Sequence, residues 1–207
     1  MVSGAEALLG DEVGRAAAAL SNGEVVGLPT DTVYGLGVLA RLPEACARLF
    51  CLKERPPEVA LPVLVADLGQ ALEVADGADR SCRGLDVLAR AFWPGPLTVI
   101  VRRAPGVLRG LGGDPSTVGL RCPAHPFVQE LARLVGPLAV TSANRHGDAP
   151  CVSAAQVRVV FGAAVTTVVD GGRCDGLPST VVSLVGGEPT CVREGALALD
   201  SVLAALG

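Results

Sequence analysis

Residues 25–37 read VVGLPTDTVYGLG, where a short apolar run leads through a proline into threonines, an aspartate and a tyrosine. The valine-rich run predicts a short buried strand, and the polar segment predicts a turn that a second helix follows. Similar polar clusters lie at residues 117–121, 141–144 and 179–180. A short strand that is followed by hydroxyl and amide side chains is therefore a recurring unit of this chain.

Amphipathic segments separate the predicted strands, and this alternation predicts a single α/β domain over residues 8–207, with one sheet and helices packed against it. No linker, low-complexity tract or repeat divides the sequence. Helices are predicted at residues 12–20 with Asp11 as N-cap, 44–53, 68–74, 81–92, 125–135, after Ser153 and from 199 onward, and strands at 25–28, 62–65, 97–102, 117–121, 138–140, 165–169 and 180–184.

The composition is that of a globular chain without a broad basic face. Half of the 207 residues are hydrophobic and only 3% are aromatic, which suits layered α/β packing better than an aromatic-rich β-sandwich. The formal net charge is −4, so we expect any contact with a polyanion such as tRNA to be local and weak. Arginine supplies every side-chain cation except one lysine, Lys53.

The cysteines and the hydropathy pattern predict where the protein resides. Seven cysteines without a Cys-x-x-Cys pair are typical of small buried side chains in a reducing cytosol. No apolar run approaches the ~20 residues of a membrane helix, and the acidic residues near the N-terminus do not fit a cleaved signal peptide. We expect a soluble, cytoplasmic protein with no membrane partner.

The polar clusters are the first candidates for chemistry, because ligands of open α/β sheets bind beyond the strand ends. These clusters predict one shared pocket, although Ser and Thr at a strand end also satisfy turns without any ligand. Arg121 ends an apolar strand and needs an anionic partner, either an internal carboxylate or a substrate carboxylate. Lys53 and Arg55 lie where a helix dipole favours cations, and the compact ammonium of Lys53 favours phosphate binding.

Other candidate motifs predict no chemistry. His125 and His146 are paired with no nucleophile or metal cluster and are interpreted as structural or solvated. Residues 170–172, Asp-Gly-Gly, are interpreted as a turn. The sequence has no Walker-type loop and no Gly-x-Gly-x-x-Gly after a strand, so a nucleotide must be bound in another way. No metal site is predicted within the protein.

Six motifs occur in one order along the chain and are followed by Arg193-Glu194-Gly195. They are PTDTVYGL at 29–36, KERPP at 53–57, WPGPLT at 93–98, VGLRCP at 118–123, TSAN at 141–144 and STVV at 179–182. Over residues 23–195 the chain resembles the YrdC-like threonylcarbamoyl-AMP synthase family. The resemblance implies an open, twisted, mixed sheet with flanking helices and a concave, cationic pocket.

The resemblance also implies an activity. Members of the family combine L-threonine, bicarbonate and ATP, with Mg²⁺ on the triphosphate, into threonylcarbamoyl-AMP and pyrophosphate, and partner proteins transfer the threonylcarbamoyl group to tRNA. No catalytic side chain is assigned. The residues implied for threonine are Thr32, Arg121, Thr141 and Ser179, with the carboxylate on Arg121, and those implied for ATP are Lys53, Arg55, Thr117, Ser142, Ala143, Asn144 and Arg193.

The chain departs from the family pattern at a few positions. Val59-Ala60 replaces a polar residue and a proline, Cys151 stands where serine is common, Ser183 where aspartate is usual, and Leu64 where some relatives have histidine. Two alternatives to the synthase stay open. One is a carbamoyltransferase-like paralogue, although such proteins carry extra domains for which this chain has no room, and the other is a non-catalytic nucleotide- or RNA-binding module.

Overall fold

The computed structural model describes residues 4–79, 81–145 and 147–207. No helix in that part of the chain is both long enough and apolar enough to cross a lipid bilayer. The helices are α1 (Gly4–Ser21), α2 (Pro43–Lys53), α3 (Leu68–Val74), α4 (Ser81–Phe92), α5 (Pro126–Val135), α6 (Ala154–Phe161) and α7 (Leu199–Leu206), with a 3₁₀ turn at Gly162–Ala164. The strands are β1 (Val26–Leu28), β2 (Gly35–Leu39), β3 (Val63–Leu64), β4 (Leu97–Arg102), β5 (Thr117–Arg121), β6 (Leu138–Ser142), β7 (Thr167–Val168), β8 (Thr180–Ser183) and β9 (Thr190–Arg193).

The strands form one sheet in the order β7-β1-β2-β6-β3-β5-β4-β8-β9. Parallel pairs join β1 to β7, β3 to β5 and β4 to β8, and the remaining neighbours are antiparallel. The sheet is mixed and open, with β7 and β9 at its edges. The predicted fold class, one mixed open sheet with flanking helices, is therefore confirmed.

The segment that follows residues 25–28 differs from the prediction. Residues 35–39 form β2, which pairs antiparallel with β1, so the helix predicted after the hydroxyl-rich turn is wrong. A Cβ atom at Gly35 would lie 2.6 Å from Val140 Cγ1, and one at Gly37 would lie 2.7 Å from Leu28 Cδ1. These two glycines let β2 lie close to its neighbours, and residues 29–34 become the connection of a β-hairpin.

The centre of the sheet is buried on both faces. Val63 and Leu64 of β3 are consecutive and both buried, and their side chains belong to different apolar clusters. Leu64 packs in the cluster that contains Leu20 of α1 and Leu131 of α5. Val63 packs in the cluster that contains residues of α2, α3, α4, α6 and α7. Helices on both sides explain why the central strands are short, continuous apolar runs.

The α1/α5 face of the sheet is left partly uncovered over β4, β5 and β8. Along these strands, fully buried residues alternate with half-buried ones such as Ile100, Gly119 and Ser183. Arg121 pairs in register with Leu64, so the half-buried positions of β5 share the face on which Leu64 packs. This half of the sheet face, which we call the open face, is therefore accessible to a ligand.

Three local predictions have different outcomes. Asp11 is not an N-cap, because α1 begins at Gly4 and the good helix formers before Asp11 extend it. Ser153 is the predicted cap of α6 and accepts a hydrogen bond from the Gln156 N–H. His125 precedes α5, and its Nδ1 is buried without a hydrogen-bond partner among the described residues. His146 lies outside the described residues.

We expect Gly35→Ala to lower the free energy of unfolding by about 1–3 kcal/mol, because the added methyl group overpacks the contact with Val140. Gly14→Ala in α1 is the matched control, since no heavy atom lies within 4 Å of a Cβ atom there. That change should stabilise the protein by about 0.5–1 kcal/mol through helix propensity. Urea denaturation of both variants measures the difference, and equal effects would contradict the close packing of β2.

Candidate functional site

A cavity of about 260 Å³ lies between the β1–β2 turn, the ends of β5 and β6 and the segment before β8. Nine polar or charged residues are buried in the described part of the chain, and six of them line this cavity. Buried polar groups are costly without partners, so their concentration marks a site. The six are Thr30, Thr32, Thr98, Arg121, Thr141 and Ser179.

The hydroxyls divide between turns and the cavity. Thr30 Oγ1 accepts hydrogen bonds from the N–H groups of Thr32 and Val33, at 3.1 and 3.3 Å, and so satisfies the turn itself. Thr180 uses its hydroxyl for backbone groups of Gly195 and Leu197, in the segment that follows β9. The turn explanation does not cover Thr32, whose hydroxyl accepts a hydrogen bond from Arg121 Nη1 at 3.2 Å. Two polar clusters that lie far apart in the sequence, those of Thr32 and Arg121, therefore meet at this point.

Arg121 is the charged centre of the cavity, and its side chain is 8% exposed. Its Nε donates to the Gly95 carbonyl at 3.1 Å, Nη1 to Thr32, and Nη2 to Asp31 Oδ1 at 2.5 Å. Burial lowers the pKa of Arg121, and the neighbouring Asp31 carboxylate opposes that change. The anionic partner predicted for Arg121 is therefore an internal carboxylate in this structure.

A second guanidinium enters the cavity from β9. Arg193 Nη2 donates to the Ser179 carbonyl at 2.9 Å and to Ser179 Oγ at 3.1 Å. Ser179 Oγ also lies 2.9 Å from Thr98 Oγ1, with which it shares a hydrogen bond. Burial lowers the pKa of Arg193. The β4–β8 end of the cavity is thus a hydroxyl pair held beside a positive charge.

A third guanidinium, that of Arg55, is held by backbone carbonyls. Its Nε donates to Val59 O at 2.8 Å, its Nη2 donates to Ala60 O at 2.7 Å, and its Nη1 lies 3.5 Å from Thr141 Oγ1. Burial lowers the pKa of Arg55. The Val59-Ala60 departure therefore falls on residues that contact the arginine through their main chain.

Lys53 lies behind the cavity and does not line it, with 6% of its surface exposed. Its Nζ donates to the Ser142 carbonyl at 2.8 Å, to Asn144 Oδ1 at 2.7 Å and to the Asn144 carbonyl. Ser142 Oγ donates to the same Asn144 Oδ1 at 2.6 Å. An ammonium has three N–H donors, so Lys53 uses all of them within the protein. Burial, and then the charge of Arg55, lower the pKa of Lys53 to about 8.

Besides Lys53, three residues that the resemblance implies for ATP do not line the cavity, namely Asn144, which bonds to Lys53, Thr117 and Ala143. Thr117 is at the opposite end of β5 from Arg121, on the same side of the strand, and its hydroxyl donates to Asp114 O at 3.2 Å. Ala143 is fully buried, and both of its backbone polar groups are hydrogen-bonded within the protein. Thr32, Arg121, Thr141, Ser179, Arg55, Ser142 and Arg193 do line the cavity.

Thr98 and Tyr34 line the cavity but are not among the residues predicted for the site. Tyr34 is fully buried, and its hydroxyl donates to Gly172 O at 2.8 Å and accepts from the Gly171 N–H at 3.1 Å. It thereby ties the β1–β2 turn to the turn at residues 170–172. Both residues stand inside motifs recognised in the sequence, but only the long-range contacts reveal that their side chains belong to the site.

The cavity is cationic, as the resemblance implies. Three guanidinium groups line it. Among the described residues, one carboxylate, that of Asp31, bonds to a lining residue, which is Arg121. The same part of the chain contains no group of three or more His, Cys, Asp or Glu that could hold a metal ion. Guanidinium groups surrounded by hydroxyls suit carboxylate and phosphate ligands.

Known proteins resemble this chain over most of its length. The family model Sua5_yciO_yrdC, described as telomere recombination, matches residues 18–195 of the chain. A Mycobacterium tuberculosis relative is 39% identical over 197 residues, which are 93% of this chain and 88% of that protein. A protein of Chromohalobacter salexigens named threonylcarbamoyl-AMP synthase is 39% identical over 187 residues, which are 86% of this chain and 95% of that protein.

A solved structure provides the same comparison in three dimensions. Sua5 of Pyrococcus abyssi, complexed with L-threonine, superposes with a TM-score of 0.88 and 34% sequence identity. The match covers 94% of this chain and 57% of the P. abyssi chain, so this chain spans just over half of that relative. Because the family model and these relatives cover most of its length, the chain belongs to the Sua5/YciO/YrdC family, that of the threonylcarbamoyl-AMP synthases.

Proposed function

We propose that this chain is a threonylcarbamoyl-AMP synthase, which converts L-threonine, bicarbonate and ATP into threonylcarbamoyl-AMP and pyrophosphate. The observation that carries the proposal is one cavity with three guanidinium groups and several hydroxyls, lined by no cysteine, histidine or carboxylate. Such a lining binds anionic substrates, and it contains no general base that would activate one of its hydroxyls as a covalent nucleophile. The names of the curated relatives support the same reaction.

We assign the threonine half of the site to Arg121, Thr32, Thr141 and Ser179. The guanidinium of Arg121 binds the substrate carboxylate, and the three hydroxyls surround the remainder of the amino acid. A site built to hydrogen-bond a substrate hydroxyl rejects an analogue that lacks it, which favours threonine over an apolar amino acid of similar size. The P. abyssi relative, whose structure contains L-threonine, supports threonine as the amino acid that binds here.

We assign the ATP half to Arg55, Arg193 and Ser142, with Lys53 and Asn144 behind them and Ala143 in the connecting turn. The cavity of about 260 Å³ is smaller than the ~300–1,000 Å³ that enclose drug-sized ligands. ATP therefore extends beyond it along the open face, in the direction of Thr117. Mg²⁺ enters with ATP as part of the substrate, since the described residues offer no carboxylate cluster of their own.

The reaction needs positioning more than side-chain chemistry. The threonine amine attacks the carbon of bicarbonate, a C–N bond forms and water leaves, which gives the carbamate. A carbamate oxygen then attacks the α-phosphorus, and the bond to the bridging oxygen breaks as pyrophosphate departs with the electron pair. Arg55 and Arg193 neutralise the charge that develops on the triphosphate, and Arg121 holds the amino acid in line.

The product determines the partners we propose. Threonylcarbamoyl-AMP is a mixed anhydride that water hydrolyses, so a partner protein has to consume it and transfer the threonylcarbamoyl group to tRNA. Because the net charge is −4, we expect any direct contact with the tRNA phosphates to be weak. No feature of the described residues favours the carbamoyltransferase-like or the non-catalytic alternative over the synthase.

Pyrophosphate release tests the proposed reaction. We expect ATP with Mg²⁺ to release pyrophosphate only when threonine and bicarbonate are both present, because the carbamate is the nucleophile. A coupled pyrophosphate assay with each substrate omitted in turn measures this dependence. Release that does not respond to threonine and bicarbonate together would falsify the proposal.

Arginine variants test the two halves of the site. We expect Arg121→Ala to raise KM for threonine by about 10–100-fold, because a charged hydrogen-bond partner is lost, with little change in KM for ATP. Arg55→Ala should do the reverse. Arg90→Ala, which removes an exposed ion pair with Asp86 on α4, is the control and should change neither. Equal effects of Arg121→Ala on both substrates would contradict the assignment.

The single lysine allows a direct test of Lys53. Lysine labelled with ¹³C at Cε gives one side-chain NMR signal from this chain, and its titration midpoint should lie at about pH 8 in the free protein. Bound Mg·ATP should raise that midpoint, because nearby phosphates favour the charged ammonium. ATP should accordingly bind more tightly at pH 7 than at pH 9. A midpoint that ATP leaves unchanged would show that Lys53 does not sense the triphosphate.

A further inference from the structure

Asp31 has a contact that the proposed reaction leaves unexplained. It lies in the β1–β2 turn, its side chain is 13% exposed, and its Oδ1 accepts the hydrogen bond from Arg121 Nη2 at 2.5 Å. Other acidic side chains in the described part of the chain bond to no residue of the cavity lining. A carboxylate thus already occupies the group on which a substrate carboxylate is expected.

Every nitrogen of the Arg121 guanidinium already donates one hydrogen bond within the protein, which uses three of its five N–H groups. Its three nitrogens donate to the Gly95 carbonyl, the Thr32 hydroxyl and the Asp31 carboxylate. A bidentate carboxylate needs parallel N–H groups from two adjacent nitrogens. Each such pair includes Nη2, the nitrogen that donates to Asp31, so a substrate carboxylate bound in that way lies beside the Asp31 carboxylate and is repelled by its charge.

Asp31 is the acceptor best suited to leave. The Gly95 carbonyl is part of a backbone segment that is fixed by the hydrogen bond from its own N–H to Cys122 O at 2.8 Å. Thr32 is neutral and 3% exposed, so it neither repels an anion nor reaches solvent. Asp31 carries the same charge as the incoming carboxylate, reaches solvent, and has Arg121 as its side-chain partner.

We propose that Asp31 is the resident counterion of Arg121, which the carboxylate of the substrate displaces on binding. This inference rests on the proposed function, in which Arg121 binds the threonine carboxylate. Asp31 keeps the buried guanidinium paired until the substrate carboxylate takes over that role, so the charge is never left uncompensated. Because only an anion can replace Asp31, the exchange selects ligands that carry a carboxylate and lowers their apparent affinity.

Acetate is the probe for the exchange. We expect Asp31→Asn to lower the Tm by roughly 5–10 °C in chloride buffer, because a buried charge loses its partner. Sodium acetate at equal ionic strength should restore much of that loss. Acetate should not raise the Tm of three control proteins. They are the wild type, Asp31→Glu, which keeps the charge, and Asp86→Asn, which breaks the exposed pair with Arg90. An Asp31→Asn protein that folds only in acetate supports the proposal, and one that acetate does not stabilise contradicts it.

The affinity for threonine distinguishes the proposal from a purely structural role of Asp31, which would leave that affinity unchanged. Isothermal titration calorimetry should give a threonine Kd about tenfold lower for Asp31→Asn than for the wild type, because the competing carboxylate is gone. An unchanged or higher Kd overturns the proposal. If acetate stabilises Asp31→Asn but threonine binds neither protein, the counterion role stands and the proposed substrate fails. If threonine binds both equally and acetate has no effect, the counterion role fails and the proposed function is untouched.

Discussion

A buried guanidinium that needs an anion is the constraint on which the site depends. Removing such a charge from water costs several kcal/mol unless a partner and hydrogen bonds compensate it. Arg121 obtains that compensation from a backbone carbonyl, a threonine hydroxyl and the carboxylate of Asp31. If every partner were rigid, Arg121 would be a purely structural residue. One exchangeable partner turns the same arrangement into a binding site.

The partners of Arg121 reach it because β2 can lie close to its neighbours. Asp31 and Thr32 stand in the turn that enters β2, and Gly35 and Gly37 leave no room for a side chain against Val140 and Leu28. A side chain at Gly35 would meet Val140 and the Thr141 carbonyl, and one at Gly37 would meet Leu28, so β2 or these neighbours would have to shift. The packing of the sheet and the charge balance of the cavity therefore depend on the same two positions.

The fold was largely predictable because most strands are short apolar runs between amphipathic helices. β2 was missed because two glycines within three residues give no strand signal, and β9 was missed because all four of its residues are exposed. Motif resemblance found Arg121, Thr32 and Ser179, but it could not show which contacts they make. The bond from Lys53 to Asn144 joins residues 91 positions apart, and no local pattern encodes such a contact.

The Val59-Ala60 departure shows why a changed motif need not mean a changed site. Arg55 donates hydrogen bonds to two backbone carbonyl oxygens of this segment, and these oxygens are present whatever the side chains are. The position of the segment depends instead on Gly113. The Gly113 N–H donates to Pro57 O at 2.8 Å, and a Cβ atom at this glycine would lie 2.8 Å from Ala60 Cβ. A small residue at position 60 therefore suits this packing, and the side-chain difference leaves the hold on Arg55 intact.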